Sequence, residues 1–111
     1  MSLVTERIED NVLYLELNGR IDSSNADQAE ELIKAIKEAH PDLQSVLDAE
    51  NLEYLSSAGL RVVLRMRKDA ADLKIINVST EVYEILDMTG FTDMLTVEKA
   101  FRRLSLEGCE L

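Results

Sequence analysis

One cysteine, one histidine, one proline and no tryptophan stand among 111 residues. A single thiol, Cys109, cannot staple a fold, so the count suits a reducing cytosol rather than a disulfide scaffold. One histidine and one cysteine leave too few ligands for a zinc site. The four glycines form neither G-x-x-x-x-G-K-[ST] nor G-x-G-x-x-G, so nucleotide binding has no glycine-loop support and no cofactor is implied. Bases are scarce: 12 against 22 acids, a formal charge of −10. A field of that sign repels phosphates, and no nucleic acid partner is expected. Long apolar runs are missing too. Leu60 to Leu64 is already broken by Arg61, so no membrane insertion is expected. Met1 to Asp10 alternates acids with apolar residues and lacks the apolar centre of a signal peptide. The expected location is cytoplasmic.

What remains is ample for a core. The chain is 46% hydrophobic, which argues against disorder despite its charge. Its length fits one domain, residues 1–111, burying roughly 65% of the unfolded surface.

Leu3 to Glu9 and Val12 to Asn18 both alternate with period two around Asp10-Asn11, which predicts a β-hairpin with one buried face. Gly19 and Asp22 then break the pattern. Ser24 with Asp27 reads as a capping box, and Ala29, Leu32, Ile33 and Ile36 follow at helical spacing. Glu30 and Lys34 are placed for an i,i+4 ion pair. His40-Pro41 ends this helix, because the residue before proline is pushed out of the α region. Gln44 to Glu50 reads as a strand, followed by a polar loop through Tyr54 to Ser56-Ser57-Ala58-Gly59.

The next helix shows Leu60, Val63, Leu64 and Ala71 on one stripe, widened by Val62 and Met66, so it should be well buried. Leu73 to Val78 reads as a covered strand. Val82, Ile85, Leu86 and Thr89 read as a helix closed by Gly90, and Met94 to Val97 as an edge strand. Ala100, Phe101 and Leu104 form a last helical stripe. Met88 and Met94, near Phe91, read as core or as an adaptable contact surface. The predicted class is α/β: a mixed sheet of four to five strands packed against about four helices, in the order ββαβαβ(α)βα.

Ser56-Ser57-Ala58-Gly59 is the most informative spot. A serine hydrolase would want a glycine two residues before its nucleophile, and the sole His40 lies at a helix terminus beside Pro41. Little of a triad is present, and no enzyme is predicted. Two other readings stand side by side. A serine here can simply cap the helix, with Gly59 serving close approach to the sheet. Alternatively, a hydroxyl at a helix N-terminus is well placed to carry phosphate, because free N–H groups and the positive end of the dipole accept the added charge.

Leu43 to Lys68, with Asp48 and the block Ser56-Ser57-Ala58-Gly59-Leu60, resembles the signature of STAS domains, above all the bacterial anti-sigma-factor antagonists. Gly19-Arg20-Ile21-Asp22 is similar to the family's earlier Gly-x-Leu/Ile-Asp element, and Gly90-Phe91 to its C-terminal part. The resemblance implies a module that binds an anti-sigma factor serine kinase, with ATP on the kinase, and so releases a sigma factor. It implies that phosphorylation of Ser57 ends binding and that a phosphatase resets it. Ser56 is the second candidate acceptor, standing where many members have Asp. Asp22, Ser56, Ala58, Gly59, Leu60 and Arg61 would then face the partner or its nucleotide.

Each of these has a plainer reading. Asp22 also suits a turn or cap. Arg61, one turn after Ser57, either reaches a phosphate or is solvated surface. Asp48 at a strand end suits loop N–H groups. The family also includes constitutive, non-phosphorylated subunits of transporters and other signalling complexes, the alternative function.

Overall fold

A computed structural model describes residues 2–100. The hairpin forms as the pattern predicts, from β1 (Val4–Glu9) and β2 (Val12–Ile21). Asp10 and Asn11 supply its two-residue turn with φ of 52° and 65°. Both central residues of a type I′ turn need that left-handed region, and the short Asp and Asn side chains tolerate it. The elements α1 (Ala26–Ala39), β3 (Gln44–Leu55), α2 (Ser57–Asp69), β4 (Lys74–Val78), α3 (Thr80–Met88) and β5 (Thr96–Lys99) follow, with a 3-10 turn at Phe91–Asp93. The sheet order is β1-β2-β3-β4-β5, antiparallel in the hairpin and parallel elsewhere. This is the expected mixed α/β class, with five strands and three α-helices among the described residues. Phe101 and Leu104 of the expected last helix, and Cys109, lie outside them.

Leu13, Leu15 and Leu17 alternate onto the buried side of β2, and Leu47 and Ile75 continue that layer across β3 and β4. Helix α1 packs on it with Ala29 and Ile33, α2 with Val62, Val63 and Met66, and α3 with Val82 and Leu86. Each set recurs at the spacing that keeps one helical face inward.

Several local expectations fail. Strand β3 runs through Leu55, where the sequence suggested a polar loop after Glu50. Its pairing with β2 continues across two bulges, from Glu16↔Asp48 to Asn18↔Asn51 and from Gly19↔Leu52 to Arg20↔Tyr54. Each inserts an extra residue on β3, which breaks the period-two pattern without ending the strand. Gly19, with φ of 78°, likewise lies inside β2 rather than terminating it.

Helix α1 begins at Ala26 after Asn25, with no side-chain cap, so the Ser24–Asp27 capping box does not form. Glu30 pairs not with Lys34 but with Arg65 of α2, at 2.6 Å. Helix α2 ends at Asp69, leaving Ala71 exposed outside the stripe.

Met88 and Met94 are not core: they are 80% and 37% exposed, whereas Phe91 is buried. Met88 lies two residues past the buried Leu86, on the far side of the helix. Strand β5 starts at Thr96, after the 3-10 turn that carries Phe91 inward.

Leu47, fully buried on the central strand, is the most direct test of this packing. Leu47→Ala should lower unfolding free energy by about 2–5 kcal/mol in urea denaturation, the cost of lost burial plus a cavity. A loss well under 1 kcal/mol would mean that β3 is not central.

Candidate functional site

Two parallel strands that end together bring two loops to one edge of the sheet. Ile21 and Leu55 are paired at the ends of β2 and β3, and the Ser56 N–H donates to the Ile21 carbonyl at 2.9 Å. The chain leaving β2 at Asp22 and the chain entering α2 at Ser56 are therefore neighbours. Ligands of parallel sheets gather outside such carboxyl ends.

The two serines divide the work of this turn. Ser56 is extended, with φ of −84° and ψ of −179°, and its Oγ accepts from the N–H groups of Ala58 at 3.2 Å and Gly59 at 3.4 Å. It is the N-cap, satisfying donors that the helix itself cannot pair. Ser57 is the first helical residue and is exposed, and its hydroxyl makes no hydrogen bond among the described residues.

Gly59 is buried against the strand ends. A Cβ there would lie 2.8 Å from Leu55 Cδ2 and 3.1 Å from the Ile21 carbonyl oxygen. Its role is close approach: the first turn of α2 sits directly on the ends of β2 and β3. Leu60 is only 8% exposed and belongs to the core. Burial of both matches the close-approach reading of Gly59 and the place of Leu60 on the inward stripe of the helix. The surface at this turn is made by Ser57 and Arg61, with Ser56 and Ala58 half-buried beside them.

Asp22 organises the adjoining loop. Its Oδ1 accepts from the Ser24 N–H at 2.9 Å and the Ser24 hydroxyl at 2.6 Å. Asn25 Oδ1 accepts from the Asp22 N–H at 2.9 Å, and Asn25 Nδ2 donates to the Arg20 carbonyl at 2.9 Å. The Ser24 hydroxyl, then the Ser24 backbone N–H and the charge of Arg20, hold the Asp22 carboxyl below the usual aspartate value against some desolvation. Asp22 therefore stays ionised beside the turn.

Sequence reasoning missed Arg20 and Tyr54. They are cross-strand partners, and the Arg20 guanidinium stacks on the Tyr54 ring at 4.5 Å. Alternation carried the signal: once Ile21 and Leu55 point inward, Arg20 and Tyr54 must share the other face. It was hidden because Tyr54 read as loop.

Asp48 is not at a strand end and not at this site. It lies within β3, 2% exposed, roughly 25 Å of strand from the turn. It accepts from Arg7 at 3.2 Å, Asn77 Nδ2 at 3.0 Å and the Glu50 N–H at 3.0 Å.

Among the described residues no three or more His, Cys, Asp or Glu converge as metal ligands, and no helix is long and apolar enough to cross a membrane.

Residues 4–104 match the sequence profile of the STAS domain. The chain belongs to the STAS domain family. A relative in Bordetella bronchiseptica, BtrV, named as a candidate anti-sigma factor antagonist, is 34% identical over 102 residues, covering 87% of this chain and 85% of that protein. Solved structures share the STAS fold. A candidate anti-sigma factor antagonist from Thermotoga maritima superposes with a TM-score of 0.76 at 15% identity, covering 97% of this chain and 95% of that one. An anti-sigma factor antagonist from Mycobacterium paratuberculosis gives 0.74 at 18%, covering 97% and 93%. The antagonist SpoIIAA in its unphosphorylated form gives 0.65 at 18%, covering 96% of each chain.

The division between the serines of this STAS domain is measurable. Ser56→Ala should cost about 1 kcal/mol of unfolding free energy through the lost cap, whereas Ser57→Ala should stay within about 0.5 kcal/mol. Equal costs would overturn the assignment.

The depressed Asp22 carboxyl has a signed consequence. Its stabilising contribution is complete above the unfolded aspartate pKa and is lost as pH falls through the lower folded value. An NMR titration should find the Asp22 midpoint below that of an ordinary aspartate, and Ser24→Ala should move it upward. An unmoved midpoint would remove Ser24 as the cause.

Proposed function

We propose that this STAS domain is an anti-sigma factor antagonist that binds an anti-sigma serine kinase through the Ser57 turn and is switched off by phosphorylation of Ser57. The observation that carries the proposal is the division between the serines: Ser56 Oγ is spent on the Ala58 and Gly59 N–H groups, while Ser57 is exposed with an unengaged hydroxyl. The family and the name of its Bordetella relative support the coarser part, antagonism of an anti-sigma factor.

In the proposed reaction, Ser57 Oγ attacks the γ-phosphorus of ATP held by the kinase. The hydroxyl proton leaves to a base on the kinase, and the bond to the ADP oxygen breaks. Asp22, ionised and fixed by Ser24, stands beside the turn and helps orient the incoming groups. The product carries about −1.5 to −2 more charge at the one place where the partner must approach closely. Bulk and desolvation of that charge oppose rebinding. Arg61, one turn on, leans toward the helix N-terminus and pairs with the phosphate, which the positive end of the helix also accepts. A phosphatase would reverse the switch without refolding.

The test is phosphate mapping by mass spectrometry after incubation with ATP and each purified anti-sigma kinase of the source organism. One phosphate, on Ser57, is expected; Ser57→Ala should take none, and Ser57→Asp should bind the kinase at least roughly tenfold more weakly. Phosphate on Ser56 would overturn the acceptor assignment. No phosphate, with stable binding to a transporter or other complex, would leave a constitutive STAS subunit instead.

A further inference from the structure

We infer that helix α2 carries a basic stripe, Arg61-Arg65-Lys68, that docks on an acidic strip of the anti-sigma kinase and sets the rate of their association. The inference rests on the kinase-binding reading of the Ser57 turn and names what that partner must offer. Charge is segregated among the helices. Helix α2 holds Arg61, Arg65, Arg67 and Lys68 against one acid, Asp69, at its last position. By contrast α1 carries Asp27, Glu30, Glu31 and Glu38 against Lys34 and Lys37, and α3 carries Glu81, Glu84 and Asp87 with no base. A chain with 12 bases in all has placed four of them in this one 13-residue helix.

The positions decide which of these bases form the stripe. Residues 61, 65 and 68 recur at i, i+4 and i+7 and share one face, which begins at the exposed Ser57. Arg67 turns away and donates from Nε to the Met94 carbonyl at 2.8 Å. Arg65 is held in place by Glu30 of α1 at 2.6 Å, yet its side chain remains 54% exposed. Arg61 and Lys68 are exposed, and among the described residues neither has a carboxylate within 4.0 Å.

Internal stability accounts for Arg65, through Glu30 of α1, but not for Arg61. The dipole favours cations in the last turn, which explains Lys68, but it gives nothing to Arg61 near the helix start. Like charges at i,i+4 oppose helix formation slightly. A local cation field facing outward beside the acceptor is suited to steering an acidic surface, and the chain's overall −10 disfavours nucleic acid as its occupant.

Two variants with the same change in net charge test this: R61Q/K68Q on α2 and K34Q/K37Q on α1. Association with the purified anti-sigma kinases of the source organism would be followed by stopped flow at about 50 mM and about 300 mM salt. R61Q/K68Q should associate roughly tenfold more slowly at low salt, with the gap narrowing at high salt. K34Q/K37Q should stay within about twofold of the parent, and circular dichroism melting should show both variants folded. An unchanged rate for R61Q/K68Q, or equal slowing of both variants, overturns the stripe; continued phosphorylation of Ser57 would then leave the kinase reading intact. A parent protein that no kinase binds or phosphorylates removes both. Equally variant-sensitive binding of a duplex DNA probe, without binding to any kinase, would also overturn it.

Discussion

The parallel pairing of β2 with β3 is the constraint on which the rest of the molecule depends. It runs from Val12↔Gln44 to Ile21↔Leu55 and survives two bulges. Because both strands run the same way and stop together, the Asp22 loop and the Ser56 turn leave the sheet side by side. The last rung is a backbone hydrogen bond from Ser56 to the Ile21 carbonyl. Gly59 then allows the first turn of α2 to rest on that rung, since any Cβ would strike Leu55 or the Ile21 carbonyl. Backbone geometry, rather than any side-chain contact between the loops, thus fixes where the exposed hydroxyl stands.

The same pairing organises the sheet face opposite the main leucine layer. Arg7 meets Glu16 at 2.6 Å and Asp48 at 3.2 Å, and its guanidinium lies 4.5 Å over the Tyr14 ring. Asn77, held at φ of 59°, reaches Asp48 from β4. Four strands are cross-linked by this polar set, and no buried side-chain oxygen or nitrogen among the described residues lacks a partner. Satisfaction matters more here than attraction. A buried carboxylate is costly when one partner is removed, whereas a complete set of bonds fixes strand register. Asp48 is therefore a structural residue of the STAS sheet, far from the turn whose motif it helps to identify.

At the site, chemistry follows from a difference in backbone position of a single residue. Ser56 precedes the helix, where an extended conformation aims its oxygen at the orphan N–H groups. Ser57 lies one residue later, on the helix itself, where its side chain is turned outward. Identical side chains thus acquire opposite roles. The outward face continues down α2 as the exposed cations Arg61, Arg65 and Lys68.

Element order from β1 to β5, the Asp10-Asn11 turn, the inward leucines of β2 and the position of the Ser56-Ser57-Ala58-Gly59 turn were all legible in the amino-acid pattern. These depend on period, propensity and turn chemistry, which neighbouring residues set locally. Which serine caps the helix, and that β3 runs on to Leu55, depended instead on the tertiary structure. It also paired Glu30 with Arg65 instead of Lys34. Each of those outcomes depends on what lies across a strand pair or beneath a helix. Such a neighbour is distant in sequence, so no local pattern records it.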